Sequence, residues 1–228
     1  MPKVFISTTS FAQYDASPLK LLKDAGMEVE VNPYRRKLTP EECSNLYKDI
    51  DGLIAGTEAL TTEILRSARN LKVISRCGAG ADNIDREVAE ELGIKVFTTP
   101  DAPTQAVAEL TIGLVLDLMR GISIEDHLLR SERWQKHMGS LLSGKTLGIL
   151  GLGRIGKKVV ELTQPFNLKY IAWDISPDRQ FADRYNVEFT GLDELLSKAD
   201  IVTVHLPYAS ELEGIIGERE LSLMKREV

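Results

Sequence analysis

Residues 146–156 read Thr146-Leu147-Gly148-Ile149-Leu150-Gly151-Leu152-Gly153-Arg154-Ile155-Gly156. A short apolar run over 146–150 leads straight into a G-x-G-x-x-G turn, and helical spacing takes over across 155–166. Strand, glycine turn and helix in that order suit the phosphates of a dinucleotide. Gly151 makes the tight turn, Gly153 leaves room for a diphosphate to reach the backbone, and Gly156 lets helix and strand lie close. The N-terminus of the helix then faces the phosphate charge. A second apolar run, 169–173, ends in Asp174, 18 residues after Gly156. A carboxylate there accepts hydrogen bonds from an adenosine ribose and repels a 2′-phosphate. Ile175 and Ser176 bring no cation, so the expected cofactor is NAD rather than NADP, with Arg179 placed to soften the preference.

The same rhythm extends outward, with a short helix expected at 192–198 and a strand at 201–206. Upstream, strands are expected at 4–7, 27–31, 53–55, 72–75 and 95–98, and helices at 18–24, 41–48, 62–68 and 85–92. Thr39-Pro40-Glu41-Glu42 has the form of a helix start: a capping hydroxyl, proline at the first helical position and acids in the first turn. Strands alternating with helices, without hairpin turns, predict parallel sheets. The expected fold class is α/β with two doubly wound parallel-sheet domains. The first is expected over residues 1–98 and the second, which carries the glycine turn, over residues 99–228. The apolar run over 104–119 is expected to be a mostly buried helix that opens the second domain.

Composition narrows the function. The 228 residues carry 28 Lys+Arg against 34 Asp+Glu, a formal charge of −6, which argues against a general nucleic-acid binder. The N-terminus turns polar at once, so no signal peptide is expected. The most apolar stretch, 110–119, is about half a membrane span and contains Asp117, so no membrane partner is expected. Two cysteines, Cys43 and Cys77, make no disulfide framework and suit a reducing, cytoplasmic setting. The three histidines and two cysteines lack metal-ligand spacing, so no metal is expected.

Longer stretches carry a resemblance to a known family. They are 75–85 (SRCGAGADNID), 105–110 (QAVAEL), 142–151 (LSGKTLGILG) running into the glycine motif, and Val204-His205-Leu206-Pro207. In these the chain resembles the D-isomer-specific 2-hydroxyacid dehydrogenases, and within them the D-3-phosphoglycerate dehydrogenase branch. The resemblance implies an NAD-dependent oxidoreductase that moves a hydride between nicotinamide and a small 2-hydroxy or 2-keto acid. It implies that residues 1–98 are a flavodoxin-like substrate-binding (catalytic) domain and residues 99–228 an NAD-binding Rossmann domain, incomplete at its C-terminal end. It implies that the Gly78-Ala79-Gly80 turn offers backbone N–H groups to the substrate carboxylate, a role that fits the anion-binding concavity of a small-residue turn. Arg154 and Ile155 match positions that touch the diphosphate, Asp174 the ribose position, and His205 and Pro207 the strand end bordering the cofactor cleft. Arg130, Arg133, Trp134 and Lys136 match an arm through which relatives form homodimers.

Some positions depart from the pattern. Gly56 and Thr57 stand where several phosphoglycerate dehydrogenases have an Arg-Ser pair for the substrate phosphate, and Pro103 stands where an Asn is common. These argue against phosphoglycerate as the substrate, although a Gly-Thr-Glu branch exists. The resemblance places the family's catalytic Arg, Glu and His beyond residue 228, so no catalytic residue is assigned here. His205 is read as a cleft residue rather than the proton donor, His127 and His137 as solvated, and Cys77 as a small buried filler. The alternative is a non-catalytic dinucleotide-binding protein or an inactive truncated fragment.

Overall fold

The computed structural model describes residues 1–226, and the chain divides into two compact units, Met1–Pro103 and Thr104–Val228. The division falls at Pro103 rather than near residue 99. Thr99 explains the difference: its N–H donates to the Gly78 carbonyl at 2.9 Å, and its Oγ1 accepts from the Gly78 N–H at 2.9 Å. The chain therefore stays with the first unit past the end of its last strand.

The first unit runs β1 (Lys3–Ile6), α1 (Ser17–Asp24), β2 (Glu28–Val31), α2 (Pro40–Leu46), β3 (Gly52–Ala55), α3 (Thr62–Ser67), β4 (Val73–Arg76), α4 (Arg86–Glu91) and β5 (Lys95–Thr98). All neighbouring strands are parallel, in the order β2-β1-β3-β4-β5. This is the flavodoxin-like order, whose direction of winding reverses between β1 and β3. Strands β1 and β3 bury most of their residues, Phe5, Ile6 and Leu53 among them, and β4 buries Ile74, while edge strand β2 keeps Glu28 and Glu30 in solvent. The helix start at Thr39 is a full capping box: Thr39 Oγ1 accepts from the Glu42 N–H, and a Glu42 carboxylate oxygen accepts from the Thr39 N–H at 2.8 Å.

The second unit runs α5 (Thr104–Arg120), α6 (Ile122–Arg130), β6 (Thr146–Leu150), α7 (Arg154–Thr163), β7 (Lys169–Trp173), α8 (Arg179–Tyr185), β8 (Val187–Phe189), α9 (Leu192–Lys198), β9 (Ile201–Val204) and α10 (Glu218–Leu223). Its parallel sheet has the order β8-β7-β6-β9, the first four strands of the Rossmann arrangement. Winding reverses between β6 and β9, the place where such sheets receive ligands. The expected helix over 155–166 stops at Thr163, because Pro165 tightens the next residues into a 3₁₀ turn. Helix α8 and strand β8 lie in a stretch that the apolar pattern left unassigned.

Helix α5 forms where expected but is not mostly buried. Ala108, Val115, Leu116 and Met119 pack into the core of the second unit. Leu110, Leu114 and Leu118, spaced by four, form a separate apolar stripe that is exposed. The helix is apolar on more of its circumference than one core can cover. Cys77 also departs from expectation: it is exposed, and only Cys43 is buried. Its place just past the end of β4, on the loop rather than in the strand, is the reason. No helix among the described residues is long and apolar enough to cross a membrane.

Candidate functional site

In the second unit the C-terminal ends of β6, β7 and β9 bring together the glycine turn, Asp174 and His205. Gly151 leaves β6 at φ +91°, and its N–H donates to the Trp173 carbonyl at 2.9 Å. A Cβ there would lie 2.9 Å from the His205 carbonyl oxygen, so the turn is compressed against the end of β9. Gly156, in the first turn of α7, sits directly on the Gly151 carbonyl, and an added Cβ would also come within 3.1 Å of Ile149 Cγ2. Close approach of helix and strand therefore excludes any side chain at this position.

Gly153 is different. Its φ of −77° and ψ of −156° are open to any residue, and an added Cβ would meet nothing within 4 Å. The fold does not require glycine here, and the space beside it is left clear at the N-terminus of α7. No side chain caps that helix. The first-turn N–H groups of α7 thus border a cradle that a Cβ at Gly153 would fill, which is how a diphosphate is held. Arg154 is exposed and Ile155 half-buried in the same turn.

Asp174 follows β7 and faces the glycine turn. Its Oδ2 accepts from the Leu152 N–H at 2.7 Å and its Oδ1 from the Ser176 N–H at 2.8 Å. The carboxylate is thereby fixed beside the turn with lone pairs left for a diol. Beyond it, Lys157 Nζ pairs with Asp178 Oδ2 at 2.5 Å, while Asp178 Oδ1 caps α8 through the Phe181 N–H at 3.0 Å. These contacts lower the Asp178 carboxyl below its ordinary range, the Lys157 hydrogen bond contributing most. Sequence reading missed this brace. Lys157 is the positive charge that orders the loop after Asp174, whereas Arg179 is exposed at the start of α8.

His205 N–H donates to the Leu150 carbonyl at 2.7 Å, and its Nε2 lies 2.9 Å from Thr203 Oγ1. Pro207 is exposed just past it. Burial lowers the imidazole below its ordinary value, so the ring is neutral at pH 7 and poorly suited to hold a proton for transfer. A base whose folded value is depressed contributes stability above its unfolded value of about 6.5, lost as pH falls through the folded value. The His205 Cε1 resonance is therefore expected to titrate with a midpoint below the ordinary imidazole value of about 6.5. His205→Gln is expected to flatten the loss of stability below about pH 6.5. A His205 midpoint at or above about 6.5 would contradict this reading.

In the first unit, Gly78, Ala79 and Gly80 lie at the C-terminal end of β4. The Gly78 N–H is directed to Thr99 and so is engaged within the fold. Among the described residues, no hydrogen bond uses the N–H groups of Ala79 and Gly80. Both residues are exposed. Asn83 braces the turn against the loop after β3: its Nδ2 donates to the Glu58 carbonyl at 2.6 Å and the Gly56 carbonyl at 3.3 Å. The Arg76 side chain folds over the turn, with its guanidinium against Gly78. Asn83 belongs to the quoted 75–85 stretch, but its bracing role depends on a loop more than twenty residues away. Among the described residues no group of three or more His, Cys, Asp or Glu side chains is placed to hold a metal ion.

Comparison with known proteins agrees with this architecture. Residues 112–228 match the family model for the D-isomer specific 2-hydroxyacid dehydrogenase, NAD binding domain. A D-3-phosphoglycerate dehydrogenase of Methanocaldococcus jannaschii is 40% identical over 213 residues, covering 91% of this chain and 40% of that protein. A hydroxypyruvate reductase of Thermotoga maritima is 36% identical over 191 residues, covering 82% of this chain and 61% of that protein. The crystal structure of the TT0316 protein from Thermus thermophilus superposes with a TM-score of 0.88 at 30% identity, covering 98% of this chain and 71% of that one. The chain thus spans about two fifths of the length of the phosphoglycerate dehydrogenase it matches. Its parallel sheets, its glycine turn and these likenesses agree: the chain belongs to the D-isomer specific 2-hydroxyacid dehydrogenase family.

Proposed function

We propose that this chain supplies the cofactor and substrate-carboxylate sites of an NAD-dependent oxidoreductase acting on the CH–OH group of a D-2-hydroxy acid. The observation that carries this reading is the clear space at Gly153, a glycine that neither backbone strain nor packing demands. Gly151, Gly153, Arg154, Ile155 and Gly156 would hold the diphosphate, with Asp174 accepting from the ribose hydroxyls and His205 and Pro207 bordering the nicotinamide side. A bound nicotinamide supplies or accepts the hydride at the carbon bearing the hydroxyl or oxo group. The Ala79 and Gly80 N–H groups, with Gly78 holding the turn in shape through Thr99, would orient the substrate carboxylate. No residue of the chain is assigned the proton transfer.

The exposed stripe of Leu110, Leu114 and Leu118, with Ile122, Ile124, Leu129 and Trp134 beyond it, supports a homodimer built on the second unit. A small 2-hydroxy or 2-keto acid as ligand, without nucleic-acid or membrane partners, completes the reading and fits a cytoplasmic setting.

Isothermal titration of the folded chain with NADH and NADPH is the test. NADH is expected to bind at least tenfold more tightly than NADPH, because the Asp174 carboxylate repels a 2′-phosphate. Absence of heat with either would remove the cofactor site, and tighter NADPH binding would overturn the role given to Asp174.

A further inference from the structure

The loops after β1 and β3 meet where the winding of the first sheet reverses, the position at which doubly wound sheets bind ligands. Four polar groups converge there. The Ser7 hydroxyl donates to Glu58 Oε1, the Tyr47 hydroxyl reaches the same oxygen at 3.3 Å, and the Gly56 N–H does so at 3.2 Å. The Gly56 N–H is shared with Ser7 Oγ at 3.0 Å. Ser7 and Glu58 are each 3% exposed and Tyr47 is fully buried. Donors gathered around one oxygen at a loop crevice are the construction of an anion site, and here the anion is the protein's own side chain. Burial and the Glu58 charge raise the Tyr47 hydroxyl above its ordinary value, which keeps it a donor.

This cluster borders the turn at 78–80. Ala55 pairs with Arg76 in the sheet register, the Cys77 N–H donates to the Ala55 carbonyl at 2.9 Å, and Asn83 ties the Gly56–Glu58 loop to the same turn. A ligand anchored by its carboxylate on the Ala79 and Gly80 amides therefore has the β3 loop as its neighbour. We propose that the β1/β3 crevice is an anion site already filled by the Glu58 carboxylate, so that the turn at 78–80 selects 2-hydroxy or 2-oxo acids whose far end carries no phosphate. The inference rests on the proposed function for its substrate. A phosphate placed there would find the Gly56 amide and Ser7 hydroxyl taken and a carboxylate of like charge beside it.

The test uses the full ¹⁵N-labelled chain, titrated with D-glycerate, 3-phospho-D-glycerate and inorganic phosphate while the Ser7, Gly56, Ala79 and Gly80 amides are followed. In the native protein, D-glycerate is expected to bind at least tenfold more tightly than its phosphorylated form, and inorganic phosphate to leave Gly56 unmoved. In Glu58→Ala the ratio is expected to fall at least tenfold, and inorganic phosphate to shift Gly56 and Ser7. Glu58→Gln keeps the shape without the charge and is expected to move the same way, so it decides the matter if the alanine variant does not fold. The proposal is overturned if phosphate shifts Gly56 in the native protein, or if a folded variant changes neither the ratio nor the Gly56 response. If neither acid moves Ala79 or Gly80, the substrate site of the proposed function fails separately, and the response of Gly56 to inorganic phosphate still decides the role of Glu58.

Discussion

Gly156→Val is expected to lower the stability of the second unit by about 3 kcal/mol and to reduce NADH binding more than a hundredfold, the first being near the upper end for forcing a side chain into filled space. The added Cβ would fall on the Gly151 carbonyl and press on Ile149 Cγ2, and a backbone carbonyl cannot swing aside as a side-chain tip can. Relief requires α7 to lift from β6, which carries the Gly151 turn and the first-turn amides with it. Against a total domain stability on the order of 5–15 kcal/mol, that shift is easily read from urea denaturation. Gly153→Ala is the companion variant. It meets no atom and needs no unusual φ, so its denaturation midpoint is expected to match the native one. Its methyl group nevertheless occupies the space assigned to the diphosphate, and NADH affinity is expected to fall at least tenfold. Equal stability with unchanged affinity would show that the clear space at Gly153 is not where the dinucleotide lies.

The second large effect is expected at Asp174. Its carboxylate serves the fold and the proposed ligand together, since Oδ2 holds the Leu152 N–H at 2.7 Å while the group faces the place assigned to the ribose. Asp174→Ala removes a charged hydrogen-bond acceptor, a change worth about 1.5–3 kcal/mol, or roughly 10- to 150-fold in NADH affinity. NADPH is expected to lose less, because repulsion of its 2′-phosphate disappears at the same time, and the NADH preference should narrow at least tenfold. Asp174→Asn keeps an acceptor for Leu152 while removing the charge. It is expected to hold the glycine turn in place and still narrow the preference. Paired titrations of both variants with NADH and NADPH measure this. A preference unchanged in both would mean that Asp174 only shapes the turn.

The features legible in the sequence are those set by neighbours along the chain. The G-x-G-x-x-G turn between an apolar run and an amphipathic one forms as read, and so does the helix start capped by Thr39. Both depend on residues within a few positions of each other, which side-chain size and backbone freedom settle locally. Strand β8 escaped notice because three strand residues carry too little periodicity to register, and its stability comes from pairing with β7. The exposure of Leu110, Leu114 and Leu118 was hidden for a related reason: an apolar run does not say how much of it a core has room to cover.

By itself the sequence determined the alternation of strands and helices, the parallel sheets that alternation requires, and the placing of Asp174 after the strand that follows the glycine turn. Only the tertiary structure decided which backbone amides are engaged and which face outward. The Gly78 N–H goes to Thr99, 21 residues away, and Ser7, Tyr47, Gly56 and Glu58 meet although α1, β2, α2 and β3 lie between them in sequence. A hydrogen bond needs a donor and an acceptor within about 3 Å. Composition and spacing cannot provide that between distant segments until strand order and register have brought them side by side.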